Sequence, residues 1–159
     1  MVRRWGPVRV GVISDTHGLV RPEALRALRG ADLIIHAGDV GNTAVIDRLR
    51  AIAPTVAVRG NNDVGRWATG LPRRTTVRVG ELRFHVLHEI AHLDVDPPAA
   101  GIAAVVSGHS HRPSIERREG VLYLNPGSAG PRRFTLPVSV ARLSVSGARI
   151  RARIVGLHC

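Results

Sequence analysis

Seven residues of this chain are of types that bind divalent metals, and their spacing is regular with respect to the apolar pattern: Asp15, His17, Asp39, Asn61, His88, His109 and His111. Asp15, Asp39, Asn61, His88 and His109 each close an apolar, β-branched run. In open α/β sheets, sites form beyond the carboxyl ends of strands. Adjacent strands lie about 4.8 Å apart, so five such ends can meet in one small volume. His17 and His111 each follow another member by two positions, which in extended backbone puts both on the same side. The set holds two carboxylates, one amide and four imidazoles. Without a thiolate it disfavours a structural zinc site and suits Mn, Fe, Zn or Ni. Seven donors exceed what one ion takes from protein, whereas two ions sharing a bridging carboxylate use them all. A lone histidine is more often structural, and an aspartate after a strand often only closes a turn. The conjunction at successive strand ends carries the argument.

The elements that must position these residues follow from periodicity. The runs at 8–14, 32–38 and 55–60 read as buried strands. Between them lie two helices, 22–30 with Pro22 in its first turn and a closing glycine, and 43–53, capped by Asn42 or Thr43 and stopped before Pro54. This βαβαβ start predicts a parallel sheet with helices on it. Beyond Gly70 the pattern changes: 75–80 and 81–88 form a hairpin about Gly80-Glu81, and 96–103 reads as one short helix. Strands follow at 103–108 and 121–125, and 137–145 and 148–155 make a hairpin about Ser146-Gly147. Strands of this half are mostly sequential, which predicts a second, mixed sheet. The whole reads as an α/β fold, two sheets face to face with helices outside, in one domain over 1–159.

Composition narrows the function classes. The chain has 159 residues, 44% of them hydrophobic, enough for a globular core. Its only cysteine, Cys159, excludes a disulfide within the chain and points to a reducing, cytoplasmic compartment. No apolar run approaches the ~20 residues of a membrane helix, so no membrane partner is expected. The N-terminal residues 1–14 lack a long apolar segment and read as an arm entering the first strand, not a signal peptide. The net charge is +11, and all 23 basic residues are arginine, which draws phosphate-bearing ligands or nucleic acid. Aromatic residues make up only 3%, too few for a base-stacking platform.

In order along the chain, Ser14-Asp15-Thr16-His17-Gly18, Gly38-Asp39, Gly60-Asn61-Asn62-Asp63, His88, Gly108-His109-Ser110-His111 and Asn125-Pro126-Gly127-Ser128 resemble the calcineurin-like metallophosphoesterases. The similarity is to their small single-domain phosphodiesterase branch in bacteria and archaea. It implies a four-layer αββα sandwich and a dinuclear centre, Mn²⁺ before Fe, Zn or Ni. It also implies that one ion is held by Asp15, His17, Asp39 and His111, and the other by Asp39, Asn61, His88 and His109, with Asp39 bridging. The implied reaction is hydrolysis of a small phosphoester, a phosphodiester before a monoester, by a hydroxide between the ions, with Asp39, Asn61 and His109 as catalytic residues. Asn62, Arg132 and Arg133 are the expected substrate contacts, nucleotides or nucleic acid being compatible substrates. The branch implies a homodimer or higher homo-oligomer.

Two positions depart from the family pattern. Glu89 stands where a glycine usually follows the residue matching His88. Asn62 stands where a histidine or cysteine is usual, and it has no proton to give a leaving group at neutral pH. The stretch His88-Glu89-Ile90-Ala91-His92 matches the zinc-protease pattern, but that motif needs a helix and the preceding residues read as a strand. His36 is expected at a strand end, orienting the site, and His85 on the opposite side from His88. Asp63 is expected to orient Asn61 or to close a turn, Asn125 and Ser128 to shape a turn near the site, and the pairs Arg73-Arg74 and Arg117-Arg118 to be solvated loop charge. Two alternatives use the same residues: a non-catalytic metal-binding scaffold of this fold, and a nucleic-acid-binding protein. The filled set of seven ligand positions favours the enzyme.

Overall fold

The computed structural model describes residues 6–159; the first five residues of the expected N-terminal arm lie outside them. Ten strands form two five-stranded sheets. The first contains β1 (Val8–Ile13), β2 (Leu33–His36), β3 (Thr55–Ala57), β9 (Ser139–Ser146) and β10 (Arg149–Gly156), in the order β10-β9-β1-β2-β3. Strands β1, β2 and β3 run parallel, and β9 and β10 are antiparallel to their neighbours. The second contains β4 (Arg74–Val79), β5 (Leu82–Leu87), β6 (Ala104–Val106), β7 (Ser114–Arg118) and β8 (Val121–Asn125), in the order β4-β5-β6-β8-β7. Its middle strands are parallel and its edges antiparallel. The strand pattern predicted a parallel first sheet and a mixed second one; β9 and β10 make the first mixed as well.

The sheets meet over one apolar layer that includes Val10, Val12, Ile35, Phe84, Val86, Val106, Leu122 and Leu143. Fully burying such side chains stabilises the fold by about 1.5–3 kcal/mol each. Helices α1 (Pro22–Leu28) and α2 (Thr43–Arg50) cover the outer face of the first sheet, packing Leu28, Val45 and Leu49 against Ile13 and Ile34. Pro22 opens α1, where its missing N–H costs nothing. Asn42 caps α2 by accepting a hydrogen bond from the Val45 N–H at 3.3 Å. Among the described residues no helix is long and apolar enough to cross a membrane.

Three local expectations change. Residues 96–103 form turns, not a helix: the N–H groups of Ala100, Gly101 and Ile102 reach the carbonyls of Asp96, Pro98 and Pro97, without a regular helical ladder. Pro97 and Pro98 supply no donors to extend it. The C-terminal hairpin joins the first sheet rather than the second, with β9 paired to β1. Alternation alone fixes which face of a hairpin is apolar, not which sheet it completes. Strand β7 was missed because all five of its residues are exposed, so it carries no apolar alternation. Among the described residues no α-helix covers the outer face of the second sheet; residues of the 90–103 connection, Leu93, Ala100 and Ile102, pack there on Leu87, Val105 and Val121.

Candidate metal centre

The loops that leave β1, β2, β3, β5 and β6 carry the seven candidate ligands. Their backbone is unusual. Seven described non-glycine residues have positive φ, and five of them are Asp15 (56°), His17 (48°), Asp39 (54°), His109 (72°) and His111 (64°). This left-handed conformation costs a side-chain-bearing residue about 1–2 kcal/mol. Strain of this kind persists where surrounding contacts hold it, typically at functional sites. Here the contacts are backbone bonds between loops: Asp15 N–H to the Gly38 carbonyl and His17 N–H to the Asp39 carbonyl, both at 3.0 Å, and Gly18 N–H to the Val40 carbonyl at 2.8 Å.

The side chains converge. Asp39 Oδ2 lies 3.3 Å from His88 Nε2 and 3.7 Å from His17 Nε2. Asp15 Oδ1 lies 3.4 Å from His111 Nε2 and 3.7 Å from His88 Nε2. Two groups have donor atoms all within 4.8 Å of one another: Asp15, His17 and His111, and Asp15, Asp39 and His88. Asp15 Oδ1, His17 Nε2, His88 Nε2 and His111 Nδ1 are buried without a hydrogen-bond partner. Buried lone pairs pointed at one another are costly unless a cation lies among them. The donor set therefore fits divalent ions. His109 stands at the rim, its ring 5.2 Å from that of His88 and edge-on to it. Asn61 lines a small cavity that it shares with His88.

Supporting groups hold both carboxylates, Asp15 through one oxygen and Asp39 through both. Ser14 Oγ donates to Asp15 Oδ2 at 2.7 Å and the His109 N–H donates to the same oxygen at 3.0 Å, leaving Oδ1 facing the histidines. The Asn62 N–H donates to Asp39 Oδ1 at 2.8 Å and the Asn62 amide to Oδ2 at 3.0 Å. His88 Nδ1 donates to the Ala37 carbonyl at 2.7 Å, which fixes the tautomer and aims the Nε2 lone pair at the two carboxylates. The approach is close enough that a Cβ on Gly38, whose φ is +101°, would sit 2.6 Å from His88 Nδ1. A Cβ on Gly60 would overlap the Asp39 backbone and carboxylate.

Behind the ligands, Thr16 Oγ1 donates to the Val40 carbonyl at 2.8 Å. Its one proton is thereby used, so it accepts from His36 Nε2–H at 2.9 Å, and His36 Nδ1 accepts the Gly38 N–H at 3.1 Å. His36 is thus held neutral. Asp63 accepts three backbone N–H groups, from Val40 at 3.1 Å, Gly41 at 3.0 Å and Gly60 at 2.8 Å, and so ties the Asp39 loop to the Asn61 loop. Asn125 donates to the Gly108 carbonyl at 2.9 Å, and Ser128 Oγ donates to the Asp15 carbonyl at 3.1 Å.

Electrostatics follow from this packing. Burial, helped by the nearby His88, lowers His36 from 6.5 to about 3. Burial alone would raise the Asp39 carboxyl, but the adjacent His88 and the hydrogen bonds from Asn62 outweigh it and hold the group well below the usual carboxylate range. Burial would lower His88, but Asp39 and Asp15 outweigh it and raise it. His111 is lowered by burial, against the pull of Asp15 and with help from the positive charge of Arg133.

The remaining predicted contacts sort themselves. Arg133 is exposed and its field reaches His111. Arg132 donates to the Cys159 carbonyl at 3.2 Å, fastening its loop to the C-terminal residue. Asn62 is engaged with Asp39, so it acts on a ligand. Glu89 turns to the rim, with Oε1 2.9 Å from His109 Nε2 and Oε2 3.3 Å from His92 Nδ1. No α-helix carries the protease-like stretch: β5 ends at Leu87 and only a single 3-10 turn, Ile90–His92, follows. His85 hydrogen-bonds Thr76 at 3.1 Å on the other side of β5. The sequence reading missed the roles of Ser14 and Thr16, although both lie inside the first motif. Arg73 and Arg74 are exposed, in keeping with solvated charge, and both also line the cavity beside His88.

Comparison with known proteins gives a consistent result. The family model of the calcineurin-like phosphoesterase superfamily domain matches residues 8–148. A probable metallophosphoesterase of Methanocaldococcus jannaschii is 33% identical, over 96% of this chain and 83% of its own length. A phosphodiesterase of the same organism is 26% identical, over 76% of this chain and 83% of its own. Among solved structures, Vps29 of Chaetomium thermophilum superposes with a TM-score of 0.75 over 94% of this chain and 96% of its own, at 22% identity, a likeness of fold.

Proposed function

Because this chain belongs to the calcineurin-like phosphoesterase superfamily, we propose that its site binds two divalent ions, Mn²⁺ before Fe, Zn or Ni, and hydrolyses phosphodiesters. The observation that carries this reading is the convergence of Asp15, Asp39, His17, His88 and His111 on one another at 3.3–3.7 Å, with most of the facing atoms lacking hydrogen bonds. When bound, such ions supply a water activated near neutral pH and offset charge that develops on the phosphoryl oxygens.

The chain's own residues do the rest. Asp15, His17, Asp39 and His111 would hold one ion, and Asp39, Asn61, His88 and His109 the other. Asp39 is suited to serve both because its Oδ2 faces His17 and His88. Asn62 locks that carboxylate in place through two hydrogen bonds. The Ala37 carbonyl keeps the His88 Nε2 lone pair directed inward. Arg133, near His111, adds positive potential that attracts an anionic substrate. No proton donor stands at Asn62, so protonation of the leaving oxygen falls to water or to another group at the site. The phosphodiesterase name of a relative that covers 76% of this chain supports the diester reading.

The test uses purified chain stripped with chelator and reloaded with Mn²⁺, assayed on bis(p-nitrophenyl) phosphate. Reloaded protein is expected to turn over, stripped protein and Asp39→Asn not. Equal turnover by stripped protein or by the variant would overturn the assignment.

A further inference from the structure

A cavity of about 70 Å³ opens beside two of the candidate ligands, lined by Arg59, Asn61, Arg73, Arg74, Leu87, His88, Glu89 and His92. Its arginines are there because the backbone brings them. The Arg59 N–H bonds the Pro72 carbonyl at 2.8 Å, fastening the segment before β4 to the loop that carries Asn61. Arg74, the first residue of β4, pairs in register with Leu87, the last of β5, so it stands next to His88. Arg73 lies between these two anchors.

The three guanidiniums are not equally committed. Arg59 Nε donates to the Asp63 carbonyl at 2.9 Å, which fixes its stem and leaves its terminal nitrogens. Arg74 pairs with Asp94. Arg73 is exposed, and among the described residues no ion pair or hydrogen bond engages its guanidinium. The one carboxylate in the wall, Glu89, is occupied by His109 and His92. Positive charge therefore prevails at the wall beside His88.

Size and chemistry select the occupant. One water needs roughly 10–15 Å³ of such space, so the volume suits one tetrahedral oxyanion and is too small for a nucleobase. No Phe, Tyr or Trp side chain lines it for stacking. Planar guanidiniums bind phosphate oxygens in pairs, a geometry that lysine or histidine does not offer. We propose that this cavity is a subsite for a second phosphate of the substrate, separate from the one that is hydrolysed. The substrate class is then a phosphodiester that carries another phosphate close by, such as a terminally phosphorylated oligonucleotide. Arg73 is its specificity-determining residue, with Arg59 and Arg74 shaping the wall. This rests on the phosphodiesterase reading above.

A matched pair of substrates that differ by one phosphate tests it: the dinucleotide TpT and its 5′-phosphorylated form pTpT, with Mn²⁺-loaded protein. The wild type is expected to prefer pTpT at least tenfold in kcat/KM, mostly through KM. That preference is expected to weaken at high salt. In Arg73→Gln it should fall severalfold, and Arg73→Lys should recover part of it. Equal use of the two substrates by the wild type, or an undiminished preference in Arg73→Gln, would overturn the subsite. The two readings fail separately. If bis(p-nitrophenyl) phosphate is not hydrolysed, the phosphodiesterase reading has failed. If it is hydrolysed but pTpT and TpT are equivalent, only the subsite has.

Discussion

Replacing Asp63 by alanine should cost this fold more than any change of comparable size at the protein surface. The carboxylate is 1% exposed and accepts the N–H groups of Val40, Gly41 and Gly60. Gly41 is exposed, so water can replace its bond. Val40 and Gly60 are buried and would be left with unsatisfied donors, at about 1–3 kcal/mol each. Hydrogen bonds to a charged acceptor lie in the upper part of that range, which gives about 4 kcal/mol for Asp63→Ala. Asp63→Asn keeps one acceptor oxygen but turns an amide N–H₂ toward a backbone donor, and should lose about 2 kcal/mol. In a domain of this length 1 kcal/mol moves Tm by roughly 2–4 °C, so the alanine variant should melt about 8–16 °C lower. The assay is thermal unfolding by circular dichroism, with chelator and with Mn²⁺. Because Asp63 ties the Asp39 loop to the Asn61 loop, the rise in Tm on adding Mn²⁺ should also shrink. A loss below 3 °C in Asp63→Ala, with an undiminished response to Mn²⁺, would refute the reasoning.

Two further outcomes follow from the buried network. His36 is held neutral, with its value lowered from 6.5 to about 3, so between those pH values the unfolded chain binds a proton that the folded chain refuses. Stability should therefore fall as pH drops through this window, by about 1.4 kcal/mol per unit from this group. Asp39, also lowered, adds loss in the same direction only below its ordinary value of 3.8. His88, which is raised, acts oppositely, its contribution fading as pH rises. Urea unfolding at pH 6.5 and 4.5 with chelator present should show the slope in the wild type and a reduced one in His36→Gln. Gly38→Ala should strain a backbone at φ +101° and press on the His88 ring. The expected loss is at least about 2 kcal/mol, with weakened Mn²⁺ binding by isothermal titration.

The strand ends that carry Asp15, Asp39, Asn61, His88 and His109 were legible because each apolar run stops at a residue of another chemistry. The layered architecture was legible for the same reason. What stayed hidden required knowledge of neighbours distant in sequence. The C-terminal hairpin has one apolar face that either sheet could have taken, and only its pairing with β1 decides. Strand β7, Ser114–Arg118, has no burial pattern because it is an exposed edge. Residues 96–103 looked helical by composition, yet two prolines limit them to turns. Asp63 reads as a turn residue until Val40 and Gly41, more than twenty positions earlier, are seen to donate to it. Arg73 and Arg74 are exposed as expected, but that they stand beside His88 emerges only from the fold, where Arg74 pairs in register with Leu87.

The five left-handed ligand residues bear on the life of the protein in the cell as well as on its chemistry. At roughly 1 kcal/mol apiece their conformations consume about 5 kcal/mol, a large share of the 5–15 kcal/mol by which ordinary domains stay folded. Ion binding to the native form alone returns stability by mass action. Scarcity of the proposed ions should then raise the fraction of chains open to proteases and lower the standing amount of the protein.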